Sequence, residues 1–223
     1  MKHRVSGYSV RLLLACLLFL FPFVGCLRKS SKQPNPLIYK LPTKLTIGAG
    51  EKLPGTDITY EYMDDDGAHL TIGGQDALKR KGDSLTASFS PRQGVFIDLD
   101  LRIGWFTDEQ LHLVGTAKST IENVNPVPRE ISTTAPVHFS GPVAYGVAKG
   151  AVIPGSTIVY QGQTDEGAKL GGIEGYPYRK AGDSIFWEGA LREDVYARLN
   201  LRILQSNEGG LRVGGLVTLW FAS

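Results

Sequence analysis

Val95-Phe-Ile-Asp-Leu-Asp-Leu-Arg-Ile-Gly-Trp105 decides how this chain is read. Leu99, Leu101 and Ile103 fall on one side of an extended segment, Asp98, Asp100 and Arg102 on the other. That period of two belongs to a strand with one wet face. The pattern returns one hundred residues later, where Leu199-Asn-Leu-Arg-Ile203 lies over Leu99-Asp-Leu-Arg-Ile103. Working outward, Leu53-Pro-Gly-Thr-Asp-Ile-Thr-Tyr60 falls on Ile153-Pro-Gly-Ser-Thr-Ile-Val-Tyr160, and Gly82-Asp-Ser-Leu85 on Gly182-Asp-Ser-Ile185. From Gly50 to Thr116 the overlay needs no gap, and 20 of 67 columns are identical. Glycines and prolines staying in register over that length point to two copies of one fold.

Each copy reads as antiparallel β. Thr56 to Tyr62 follows the turn pair Pro54-Gly55, and Asp65-Asp66-Gly67 closes a hairpin into Ala68 to Ile72. A basic, turn-like stretch from Lys79 to Asp83 leads to strands at Ser84–Ser90, Val95–Trp105 and Leu111–Ile121. No segment keeps an apolar period of 3.6 over three turns, so little helix is expected. The fold class is all-β: two tandem homologous antiparallel β-barrel or β-sandwich modules behind an N-terminal signal and lipid anchor. The expected division is signal peptide 1–25, flexible membrane tether 26–42, first β module 43–122, linker 123–142 and second β module 143–223. Each copy alone is near the size at which cores become marginal, so the two are expected to pack together.

The N-terminus carries a separate signal. Lys2, His3, Arg4 and Arg11 precede an apolar run from Leu12 to Val24, too short for a comfortable span of about 20 residues. Phe23-Val24-Gly25-Cys26 follows, then a polar, Lys-rich stretch with Pro34, Pro36 and Pro42. This order resembles a bacterial lipoprotein signal peptide, whose lipobox ends in a small residue and the cysteine that becomes lipidated. Phe23 stands where that family usually has leucine. The resemblance covers only the first 26 residues and implies lipidation at Cys26, with the membrane as a partner through the lipidated N-terminus. It also implies a cell-envelope location facing the periplasm or exterior. A plain secretory signal and an uncleaved anchor are the alternatives. Cleavage before Cys26 removes Lys2, Arg4 and Arg11. The 24 basic residues then fall to 21 against 22 acidic ones, and the formal charge turns from +2 to −1. Nothing electrostatic in the remainder asks for nucleic acid.

Several patterns resemble chemistry. Gly82-Asp83-Ser84-Leu85 spells the block that names the GDSL esterases, a family in which the serine is the nucleophile within an α/β domain. Here it lies in a β repeat, and no downstream Asp-x-x-His supplies the rest of a triad. Asp64-Asp65-Asp66-Gly67 lacks the calcium-loop spacing, with Gln75 at the twelfth position. No cofactor or metal is expected, nor any catalytic set. The candidate binding residues are Arg102 and Arg202, Tyr60 and Tyr160, and the aromatic group Tyr176, Tyr178 and Trp187. The expected function is a non-enzymatic, membrane-tethered envelope lipoprotein with a structural or protein-binding role and an envelope protein partner. The alternatives are an extracytoplasmic ligand- or glycan-binding module and, remotely, an esterase using Ser84.

Overall fold

The computed structural model describes residues 33–131, 135 and 137–222. In these residues the protein is all-β, with antiparallel strands and no helix. The first half holds β1 (Leu37–Gly48), β2 (Ile58–Asp64), β3 (Gly67–Ile72), β4 (Gln75–Lys79), β5 (Ser84–Arg92), β6 (Val95–Phe106) and β7 (Gln110–Ile121). After the short β8 (Val127–Pro128), the second half holds β9 (Val137–Val147), β10 (Val159–Thr164) and β11 (Gly167–Gly171). It ends with β12 (Tyr178–Arg179), β13 (Ser184–Arg192), β14 (Val195–Asn207) and β15 (Gly210–Phe221). They form open sheets ordered β1-β7-β6-β5, β2-β3-β4, β8-β13-β14-β15-β9 and β10-β11-β12. No sheet among the described residues closes into a barrel, so the barrel alternative is set aside.

The alternation read from β6 is realised. Leu99, Leu101 and Ile103 are buried, while Asp100 and Arg102 are exposed. Asp98 reaches Ser88 and Lys118 across the wet face, and those hydrogen bonds hold its carboxyl below the usual range. The ladders repeat at the same offset: Ser84 opposes Arg102, and Ser184 opposes Arg202. Bulges recur too, at Ile103/Trp105 and Ile203/Gln205.

One expectation needs correcting. The tether was expected to reach residue 42, yet β1 begins at Leu37 and pairs with β7 along its whole length. Leu37, Tyr39 and Leu41 turn inward on a period of two, and Pro42 is tolerated because β1 is a sheet edge. In the linker, Val137-His-Phe139, readable as a strand at the join, starts β9, which runs on through Pro142 on the other edge strand.

These two edges lie against each other. A side chain on Gly141 would meet Pro42 Cδ at 3.1 Å and Leu41 Cβ at 3.2 Å. The halves share one hydrophobic core, and their polar ties are reciprocal. Arg92 Nη1 pairs with Asp194 Oδ2 at 2.7 Å, while Arg192 Nη1 donates to the carbonyls of Glu122 (3.0 Å) and Gly94 (3.4 Å). Residue 92 reaches residue 194, and residue 192 reaches residue 94, as a two-fold relation requires. The Arg92–Asp194 pair is partly exposed, so a double-mutant cycle of Arg92→Ala and Asp194→Ala in urea should give a coupling of about 0.5–1 kcal/mol, reduced by salt. A coupling near zero at low salt would remove it as a tie.

At the same boundary Tyr39 packs on Gly155, and its hydroxyl and that of Tyr145 are buried as neighbours. Burial raises the Tyr145 phenol to about 12, and burial with the neighbouring Tyr145 raises Tyr39 well above its ordinary value. Both protons are held more tightly in the folded chain than in the unfolded one. Their contribution is therefore full below about pH 10 and is lost as pH climbs from about 10 toward 12 and beyond. Alkaline unfolding followed by circular dichroism should show this loss, and the Tyr39→Phe, Tyr145→Phe double variant should blunt it. An undiminished loss in that variant would contradict the assignment.

Candidate functional site

The sequence candidates separate into three groups. Tyr60 and Tyr160 are 0% exposed; their hydroxyls donate to the Thr107 and Asn207 carbonyls of the facing hairpins. They are core pillars, which corrects their expected place on a binding surface. Arg102 and Arg202 stay exposed, and each donates to the carbonyl of Gly82 or Gly182 at 3.0 Å. They tie a local turn instead of lining a shared groove. Cys26 lies outside the described residues. Trp187 lines a groove in the second half, and Tyr176 and Tyr178 line a smaller recess that shares Arg179 and Ser184 with it.

The groove has a volume of about 630 Å³ and opens between the loop that follows β11 and the outer edge of β13. Leu170, Ile185 and Trp187 provide apolar lining. Trp187 is 4% exposed, and its indole N–H donates to Thr157 Oγ1 at 3.0 Å. One wall is Gly172-Ile173-Glu174, and Pro128-Arg129-Glu130 lines the groove as well. Gly172 has a φ of +75°, and a side chain there would run into the Thr157 carbonyl. Only glycine lets the loop sit so close to the bend that precedes β10.

Next to the groove, Tyr176, Tyr178, Arg179 and Ser184 surround a smaller recess. Tyr176 is 62% exposed and tilts against Tyr178 with ring centroids 5.4 Å apart. Desolvation and its hydrogen bond to Glu166 hold the Tyr176 phenol above its ordinary value. Lys169 Nζ lies 6.0 Å from the Tyr178 ring centroid. Arg179 donates through Nη1 to the carbonyls of Tyr176 and Tyr178 and so braces the turn that carries both rings.

The matching region of the first half is built differently. There β4 pairs with β3 over five positions, from Ala68–Lys79 to Ile72–Gln75. In the second half Pro177 and the glycines at 172 and 175 end the ladder after Lys169–Tyr178. Aromatic residues replace non-aromatic ones at this place: Tyr176 for Asp76, Tyr178 for Leu78, Phe186 for Thr86 and Trp187 for Ala87. The repeat carried this signal. Columns 71–81 are the longest stretch without an identity, and columns 86–91 hold none either. Both stretches border the groove in the second half. Arg129, Glu174 and Arg179 had no mark of their own in the sequence.

Ser84, the serine of the esterase-like block, begins β5 after a turn in which Asp83 Oδ2 accepts the Arg80 N–H at 2.8 Å. Asp183 does the same for Lys180 at 2.7 Å. In the Asp64 hairpin, Asp64 Oδ1 accepts the Asp66 and Gly67 N–H groups, and Oδ2 meets His69. Both acidic motifs thus use their carboxylates to close turns. Comparison with known families, with curated proteins and with solved structures finds no match to this chain.

Proposed function

We propose that the chain is a non-enzymatic, membrane-tethered envelope lipoprotein, made of two tandem copies of one antiparallel β module, that holds a protein partner in the groove of its second copy. The observation carrying this reading is where the repeat breaks. The ladders, bulges and turn residues recur at a fixed offset, while the departures at 171–178 and 186–187 border a groove and the recess beside it. Loss of a strand ladder brings no stability, and exposed aromatic rings beside a groove are what a partner surface uses. The reciprocal arginine ties support fused copies, and the lipobox-like order ending at Cys26 supports the tether.

The test restores first-copy residues. Tyr176→Asp with Tyr178→Leu should change stability by no more than about 1 kcal/mol, because both rings are on the lip. It should convert a complex seen by native electrophoresis of the solubilised envelope into free protein; an unchanged complex would overturn the partner role. For the tether, palmitate label should disappear in Cys26→Ala, and label retained there would refute it. Turnover of short acyl esters that is lost in Ser84→Ala would overturn the non-enzymatic reading.

A glycan-binding module is the second reading, favoured by the exposed Tyr176–Tyr178 pair. Rings of this kind offer contact area at low entropic cost. Quenching of Trp187 fluorescence by oligosaccharides would favour it.

A further inference from the structure

We propose that the outer edge of β13, from Ser184 to Glu188, receives an extended strand of the partner protein, which pairs through its backbone and lays alternate apolar side chains into the groove. This rests on the partner-binding reading and adds the mode of recognition.

The edge is fixed by two hydrogen bonds. Ile203 N–H donates to the Asp183 carbonyl at 3.0 Å on the β14 side, and Arg129 N–H donates to the Glu188 carbonyl at 3.3 Å on the opposite side. Alternation between these two points turns the peptide groups of Ser184 and Phe186 away from β14 and toward the groove. No strand among the described residues pairs with them. Phe186 is 58% exposed, and the groove beside it is lined by Ile185 and Trp187.

The same edge already accepts an extended segment. β8 pairs with Gly189 and Ala190, and the pairing ends at Arg129 and Glu188, where the groove begins. An added strand would continue that interface along β13. The first half shows how such an edge is kept closed: Lys79 Nζ caps the outward carbonyl of Ser84 at 3.2 Å. Lysine on an edge strand is a known guard against pairing. The matching residue in the second half, Arg179, turns instead to the Tyr176 and Tyr178 carbonyls, which leaves the Ser184 position without that cap. The groove is lined by Arg129 and Arg179 against Glu130, Glu174 and Glu188, and Glu188 is paired with Arg198 at 2.9 Å, so its charges balance. Selection should therefore rest on backbone pairing and apolar alternation, as in β-strand addition, with weak salt dependence.

The probe is a displayed library of random heptapeptides, selected on the full chain. Peptides with alternating apolar residues should be enriched, and a bound peptide should slow hydrogen exchange at the Phe186 N–H. Phe186→Pro removes that N–H from an edge where the β13–β14 ladder does not use it, so the fold should survive. It should weaken peptide binding about tenfold or more, whereas Phe186→Ala, which keeps the N–H, should weaken it only a few-fold. Thr86→Pro, at the matching position of β5, should leave binding unchanged. Equal affinity in Phe186→Pro and Phe186→Ala, or unchanged exchange at Phe186 in the wild-type complex, would overturn strand addition. Chitotriose binding that survives Phe186→Pro but is lost in Tyr178→Leu would also overturn it, while leaving a groove that binds. Failure of every peptide and of chitotriose would sink both strand addition and the groove.

Discussion

Gly215→Ala should destabilise the protein by about 3 kcal/mol, and Gly115→Ala by a similar amount. A Cβ at Gly215 would enter the van der Waals envelope of the Asn200 carbonyl oxygen and lie 2.8 Å from Leu201 Cα. At Gly115 the same atom would strike the Asp100 oxygen and lie 2.8 Å from Leu101 Cα. These obstacles are backbone atoms of the neighbouring strand, so no rotamer change relieves them. Both glycines sit in the middle of ladders, opposite Leu101 and Leu201, two pairs from the bulges that bend β6 and β14. Neither has a positive φ, so the penalty is steric and not a matter of backbone preference. Because both halves contribute to one core, both substitutions should shift a single urea transition. Losses under about 1 kcal/mol would mean that the strands can part locally at these positions.

Trp187→Ala should cost about 3–4 kcal/mol, and Trp187→Phe markedly less. The indole is nearly fully buried, and removing it also leaves Thr157 Oγ1 without its donor. The first half manages with Ala87 because its aromatic residue sits two positions along the same face, at Phe89, packed over Gly55. The second half has glycine at 189, where a Cβ would strike the Val127 carbonyl and lie 3.0 Å from Pro128 Cα. β8 occupies the space that a ring at 189 would need, and the aromatic bulk sits at 187 beside the groove. Trp187 thus supports the fold and shapes the groove together. A cost under about 1 kcal/mol in Trp187→Ala would show that the groove collapses freely around the gap.

The strands with clean alternation were legible from sequence, β6 and β14 above all, because a half-buried strand writes its faces into every second residue. β1 alternates equally well through Leu37, Tyr39 and Leu41, but Pro42 and the flanking lysines gave it the look of a spacer. Proline is a poor guide on an edge strand, where its missing N–H costs nothing. β4 was masked by the basic residues that end it and by Gly73-Gly74, which make its hairpin. Tyr60 and Tyr160 showed in the sequence only as repeated tyrosines on a strand; which face they took depended on hydroxyl acceptors in a distant hairpin. Tyr176, Tyr178 and Trp187 were recognisable as an aromatic group. Their placement at two adjoining openings was not, since it depends on a ladder stopped at Pro177 and on Gly172 seated against Thr157. The edge polarity of β13 was likewise invisible, because main-chain direction leaves no mark in side-chain identity.

Photo-crosslinking in the intact envelope distinguishes a second copy that binds a partner at its groove from a first copy that does not. Benzoylphenylalanine is placed singly at Phe186 and Tyr178 of the full chain, and at Thr86 and Leu78 as matched controls from the same fold. A discrete protein adduct is expected from 186 and 178 and none from 86 and 78. Equal adducts from both halves, or none from 186 and 178, would contradict that distinction.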